Sequence, residues 1–264
     1  MKREWRRLCL AIGFFTRIPV PNFPDFHEAE LNHASKYFPL VGILVGLFSA
    51  IVFYLAHLIF THALAVLISM VATIYLTGAF HEDGLADSAD GLGGGWERER
   101  ILTIMQDSRL GTYGAIALFL ILFGKFQTLN AMNPFVVSVA LVCGHALSRL
   151  AAVWIMRCMQ YVRFEGKSKP LATAISTQDM VIAHIFGLLP YILVLGLLLI
   201  SQHAWQEITL FVLLTLLPML CVWWWWTRKI RRWIGGYTGD TLGAMQQMTE
   251  LAFYLGVFIW SVHV

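Results

Sequence analysis

The sequence predicts an all-α fold: a polytopic membrane bundle of about seven transmembrane helices with an acidic active-site loop on its cytoplasmic side. Three observations carry this expectation. Of the 264 residues, 58% are hydrophobic and 13% charged, against about 45–50% and 25% in soluble domains. Mean hydropathy is +0.67, and the apolar residues come in runs of about 20, the length that crosses a bilayer. The 19 basic and 16 acidic residues cluster between those runs. Ordinary soluble, coiled-coil and disordered classes are set aside, the bilayer is the implied surrounding, and nothing points to nucleic acid.

The chain opens with a segment in which Trp5, Leu8, Cys9, Ile12 and Phe15 recur at helical spacing beside Arg3, Arg6 and Arg7. It reads as an interfacial amphipathic helix within a cytoplasmic or interfacial stretch, 1–35. It lacks the long apolar region and small-residue cleavage site of a signal peptide. Seven candidate spans follow, near 37–59, 63–80, 111–130, 134–156, 181–200, 208–227 and 246–263. The connectors 60–62, 131–133 and 201–207 contain no Lys or Arg. Basic residues gather instead at Lys2, Arg3, Arg6, Arg7 and Arg17, at Arg98, Arg100 and Arg109, at Arg157, Arg163, Lys167 and Lys169, and at Arg228, Lys229, Arg231 and Arg232. The positive-inside rule places those four groups in the cytoplasm, the N-terminus with them and the C-terminus outside. Trp223 to Trp226 reads as an interfacial anchor, with an aromatic stacking platform as the other reading. Cys9, Cys143, Cys158 and Cys221 show no metal-ligand spacing and read as reduced packing residues. With no internal repeat or linker visible, 1–264 is expected to be one integral-membrane catalytic domain.

The informative stretch is 81–110, expected as a cytoplasmic loop holding seven of the acids. If 82–90 continues the second span as helix, Asp83, Asp87 and Asp90 stand at i, i+4 and i+7 on one face. Three such carboxylates repel one another and favour a bound cation, and oxygen-only ligands select Mg²⁺ or Mn²⁺ over zinc. Gly91, Gly93, Gly94 and Gly95 are expected to break the helix, after which Trp96 to Asp107 resumes it with Ile101, Leu102, Ile104 and Met105 inward. That return would bring Asp107 and Arg109 to the carboxylate face, Arg109 facing a phosphate beside the Gly111 and Gly114 backbone. Glu97 to Arg100 reads as a solvated charged face. His81 is read as a base, a phosphate ligand or a plain hydrogen-bond donor. Lys125 and Arg149, inside spans, need a polar cavity: Lys125 is open between phosphate and a buried partner. A second Gly-rich stretch holds Gly236, Thr238 and Asp240, and resembles an anion-cradling turn without fitting a Walker pattern.

Three motifs carry a family resemblance: His81-Glu82-Asp83-Gly84-Leu85-Ala86-Asp87-Ser88-Ala89-Asp90-Gly91, Asp107-Ser108-Arg109-Leu110-Gly111-Thr112-Tyr113-Gly114, and Gly236-Tyr237-Thr238-Gly239-Asp240-Thr241-Leu242-Gly243-Ala244. With Phe15-Thr16-Arg17-Ile18-Pro19-Val20-Pro21 and Phe38-Pro39-Leu40-Val41-Gly42 they closely resemble the cobalamin synthases, the adenosylcobinamide-GDP ribazoletransferases. Gln106, where that family commonly has Arg, and the tetra-tryptophan run depart from the pattern. The resemblance implies the last step of adenosylcobalamin assembly at a bacterial inner membrane, with the active site facing the cytoplasm and Mg²⁺ as cofactor. Adenosylcobinamide-GDP would be joined to α-ribazole or its 5′-phosphate, releasing GMP. It further implies Asp83, Asp87, Asp90 and Asp107 on metal, and Arg109 with Arg149 on phosphate. His81 or a carboxylate of the set, Asp83 first, would take the hydroxyl proton. Lys125, Gly236, Thr238 and Asp240 would line the substrate, with Asp240 a second-rank candidate for metal or ribose contact, and other membrane-associated cobalamin-assembly enzymes would be partners. Two other classes remain. A CDP-alcohol phosphotransferase also uses helix-borne aspartates, but its Asp-Gly then Ala-Arg pattern fails at Ala86-Asp87. A transporter would spread its acids at mid-membrane instead of massing them at one face.

Overall fold

The computed structural model describes residues 2–23, 28–162 and 175–263. Among them the chain forms α1 (Lys2–Phe15), α2 (Glu28–Ala34), α3 (Phe38–His57), α4 (His62–Thr77), α5 (Phe80–Gly94) and α6 (Arg98–Met105). It continues as α7 (Thr112–Asn130), α8 (Pro134–Cys158), α9 (Thr177–Ile200), α10 (Trp205–Ile234) and α11 (Gly239–His263). The only β-type contact among these residues is an isolated bridge between Tyr161 and Tyr237. Of the third basic group, Arg163, Lys167 and Lys169 lie outside the described residues.

Five helical stretches are long and apolar enough to cross a bilayer: Glu30–His57, Thr112–Asn130, Pro134–Cys158, Thr177–Ile200 and Trp205–Ile234. A sixth is formed only if α4 and α5, bent by 85°, count as one. The two remaining expected spans fall short for different reasons. α4 has 16 residues, about 24 Å at the α-helical rise. α11 has 25 residues but carries Gln246, Gln247 and Glu250, all buried. It packs on α5, α7, α8 and α10, so its neighbours, and not lipid, solvate its polar side chains.

Caps and small residues fix the helix ends and crossings. Thr61 and Asn133 accept hydrogen bonds from Leu64 N and Val136 N, starting α4 and α8. Gly42 and Gly46 of α3 lie against the α8 backbone at His145–Ala146 and Leu141–Val142, and Gly256 of α11 against Leu214 of α10. Such residues let membrane helices approach closely. α1 is helical as expected and docks through Ala11 and Phe15, while Trp5 is exposed. Phe15 stacks on His81 at 5.4 Å and meets Phe38 edge-on at 4.4 Å, so the N-terminal helix supports the region that carries the acids.

Of the expectations for that region, one is corrected. Stretch 81–110 holds two helices, α5 and α6, as the helical reading of 82–90 and of Trp96 to Asp107 expects. α5 does not continue the second span: Gly78 and Ala79 both adopt left-handed backbone, with φ of 67° and 57°. Ala79 N then donates to the Ile74 carbonyl at 2.9 Å, an arrangement that ends a helix. The expected break falls at the end of the glycine run: α5 continues through Gly94 and ends at Gly95, whose backbone is extended. Gly91 lies against Met105 and Gly93 against the Tyr113 ring, so they admit neighbours instead of turning the chain.

Candidate active site

α5 is held by the start of α11. A Cβ on Gly84 would lie 2.8 Å from the Asp240 carbonyl oxygen, and one on Gly243 would lie 3.1 Å from that of His81. Two glycines therefore set this crossing, and it places Asp83 and Asp87 of α5 beside Asp240 of α11. Because backbone atoms block the space, Gly84→Ala is expected to destabilise the protein by about 1–3 kcal/mol, readable as a lowered Tm in detergent.

Asp83 is exposed, Asp87 half-buried and Asp240 partly exposed. Burial, then the charges of Asp83, Asp240 and Asp90, pushes the Asp87 carboxyl up to about 7. Burial, with Asp83 beside it, pushes Asp240 up to about 6 even though Thr238 donates to it. Among the described residues no Lys, Arg or His forms an ion pair with Asp83, Asp87 or Asp240. Among those same residues, no three His, Cys, Asp or Glu side chains stand in metal-ligating arrangement. The oxygen-only donors and their uncompensated charge nevertheless fit a hard divalent cation. A raised carboxyl pKa means that the folded state holds its proton more tightly than the unfolded chain does. With divalent ions chelated, that stabilisation is complete below the unfolded value and lost as pH rises through about 6 to 7. The Tm of the metal-free protein should therefore fall across that window, and Asp87→Asn should flatten the fall.

Asp90 and the second motif are used differently from expectation. The Asp90 carboxylate is buried and accepts from Gly111 N at 2.7 Å and Gly114 N at 2.8 Å. It caps the N-terminus of α7 from another helix, where the orphan amides and the dipole favour negative charge. The backbone amides expected to face a phosphate are thus occupied by Asp90, and its oxygens are directed at them. Asp107 and Arg109 pair with each other, Arg109 Nε lying 3.0 Å from both Asp107 oxygens. The Arg109 guanidinium holds the Asp107 carboxyl below its usual value. The Arg109 side chain is 87% exposed, free to reach an anion in solution, and Asp107 does not act on Asp87.

The deeper polar residues form a separate cluster. Lys125 Nζ donates to Glu250 at 2.7 Å and to Gln247 at 2.6 Å, and His145 Nδ1 lies 2.8 Å from the other Glu250 oxygen. Gln246 donates to that same oxygen, and Gln247 Nε2 donates to Glu82 at 3.0 Å. Arg149 is buried, donates to the His145 carbonyl at 3.0 Å and lies 5.8 Å from the Phe15 ring. His81 is buried, and its Nε2 has no hydrogen-bond partner. These groups line a cavity of about 30 Å³, room for roughly two waters and not for a nucleotide. Of the two readings of Lys125, the structure shows the buried partner, Glu250; Arg149 has no ion pair among the described residues, and its Nε has no hydrogen-bond partner. Glu82, His145, Gln246, Gln247 and Glu250 were not foreseen. The available signal was that two cations inside spans require an acid at similar depth, and Glu250 lies in the last span.

Gly236 and Thr238 likewise serve the chain itself. Gly236 abuts the Gln160 carbonyl, Tyr237 N donates to that carbonyl and Val162 N to the Tyr237 carbonyl. Thr238, fully buried, caps α11 by accepting from Thr241 N at 3.3 Å. The expected anion-cradling turn is thus a structural joint that sets Asp240 in place.

A helical membrane bundle with unpaired carboxylates where two helices cross at one end has the makings of an integral-membrane enzyme. Residues 7–258 match the family described as cobalamin-5-phosphate synthase. Relatives named adenosylcobinamide-GDP ribazoletransferase are 48% identical in Shewanella amazonensis and 43% in Ralstonia pickettii, each over 98% of both chains. One from Shewanella frigidimarina is 45% identical over 96% of this chain and 94% of its own. The chain belongs to the cobalamin-5-phosphate synthase family. No solved structure matches it.

Proposed function

We propose that this protein is an adenosylcobinamide-GDP ribazoletransferase working with Mg²⁺ at the crossing of α5 and α11. The observation that carries this reading is the unpaired set Asp83, Asp87 and Asp240, in a chain whose relatives bear that name at 43–48% identity. Asp83, Asp87 and Asp240 would hold the metal. Magnesium, when bound, would neutralise charge on the pyrophosphate of adenosylcobinamide-GDP. A ribazole hydroxyl forms the new P–O bond to the phosphorus attached to cobinamide, the pyrophosphate P–O bond breaks, and GMP leaves. A free carboxylate oxygen of the set, on Asp83 first because it is exposed, takes the hydroxyl proton. Arg109 reaches a substrate phosphate from the exposed turn before α7. His81, stacked on Phe15, orients the start of α5.

By the positive-inside rule the four basic groups support a cytoplasmic position for this end of the bundle, and the bacterial relatives support an inner membrane. Other membrane-associated enzymes of cobalamin assembly would be its neighbours. The reading is tested with purified protein in liposomes supplied with adenosylcobinamide-GDP and α-ribazole. Stoichiometric GMP and corrinoid product are expected. Product only from a CDP-alcohol, or none from folded protein with any divalent ion, would overturn it.

A further inference from the structure

The face of α5 opposite Asp83 and Asp87 forms the floor of a second, larger space. Leu85, Ser88 and Leu92 of α5 lie beneath a crevice of about 400 Å³. Tyr113, Ile116 and Leu120 of α7 wall one side and Trp225 of α10 the other, and α7 and α10 do not pack closely together across it. The walls are apolar and open laterally: Tyr113, Ile116, Leu120 and Trp225 are about half exposed, on helices long and apolar enough to span a bilayer.

Two polar features mark this crevice as more than a gap. The Ser88 hydroxyl lines it, is completely buried and has no hydrogen-bond partner, whereas buried hydroxyls ordinarily have one. Lys229 lines it too. Its ammonium lies 5.3 Å from the Trp225 ring centroid and forms no ion pair among the described residues. It sits in the last turns of α10 among Arg228, Arg231 and Arg232, where basic and aromatic side chains meet lipid headgroups.

We propose that this crevice is a binding site for one anionic phospholipid. An acyl chain lies between α7 and α10, an ester carbonyl accepts from Ser88, and the headgroup phosphate meets Lys229. An aqueous ligand fits less well, because the walls are mostly apolar and half exposed on membrane-length helices, with Lys229 the one charged side chain of the lining. The lipid would support α5 from behind, so an occupant on one side steadies the carboxylates on the other.

The test is native mass spectrometry of the full chain released from nanodiscs containing phosphatidylglycerol or phosphatidylcholine with the same acyl chains. The wild type should retain one phosphatidylglycerol selectively. Lys229→Gln should weaken that selectivity about fivefold, the effect of one basic residue at an anionic surface. Ala117→Phe, which fills the crevice, should abolish retention, and Arg231→Gln, outside the crevice, should leave it unchanged. Equal retention of the two lipids by the wild type, unaltered retention in both crevice variants, or a dimer burying this face would each overturn the proposal. No substrate is present, so the result is independent of the ribazole-transfer reading. A second readout rests on that reading: GMP release should be slower in phosphatidylcholine alone, and Lys229→Gln should respond less to added phosphatidylglycerol.

Discussion

Replacing Asp87 with alanine is expected to lower GMP release by about a thousandfold, equivalent to about 4 kcal/mol of transition-state stabilisation. Asp87 is the acid on which all three other carboxylates of the region act, and its half-buried position turns it toward the α5–α11 crossing. Without it, a cation between Asp83 and Asp240 loses its central donor, and the leaving pyrophosphate loses part of its charge neutralisation. Asp107→Asn should cost less than about tenfold, because Asp107 is engaged with Arg109 in solvent. Initial rates at saturating Mg²⁺ separate the two. Equal losses would move the metal to the second motif.

Glu250→Ala is expected to destabilise the folded protein by about 3–5 kcal/mol, the usual cost of leaving one member of a buried ion pair uncompensated. Glu250 accepts from Lys125, His145 and Gln246, so its removal strands a buried ammonium and takes an acceptor from Gln246. Unfolding in mixed micelles with increasing sodium dodecyl sulfate reads this. Pairing Lys125→Met with Glu250→Gln should recover part of the loss, since the charge disappears while glutamine still hydrogen-bonds. If Glu250→Ala alone unfolds with the wild-type midpoint, the cluster does not hold α7, α8 and α11 together.

Hydropathy made five of the long helices legible, with 111–130, 134–156 and 181–200 placed within a few residues of α7, α8 and α9, because lipid-facing surface must be apolar. It was a poorer guide to α11, whose polar residues face other helices. It could not show the 85° bend, which depends on two left-handed residues, one of them an alanine. The helical spacing of Asp83, Asp87 and Asp90 was readable, and the structure keeps them on one helix. Their division of labour was not. Asp90 turns to α7 because the Gly111 and Gly114 amides lie there, while Asp240, a second-rank candidate from a distant motif, enters because Gly84 and Gly243 let α11 approach. Lys125 and Arg149 announced a buried polar cluster, but only packing shows that Glu250 pairs with Lys125 and His145.

The central claim is that Asp83, Asp87 and Asp240 bind one hard divalent ion between α5 and α11. The most direct measurement is Mn²⁺ binding to the metal-free protein in nanodiscs, followed by electron paramagnetic resonance without substrate. Mg²⁺ should displace the bound Mn²⁺, Asp87→Asn and Asp240→Asn should each abolish the signal, and Asp107→Asn should keep it. The same bound signal in Asp87→Asn and Asp240→Asn as in the wild type would contradict the account.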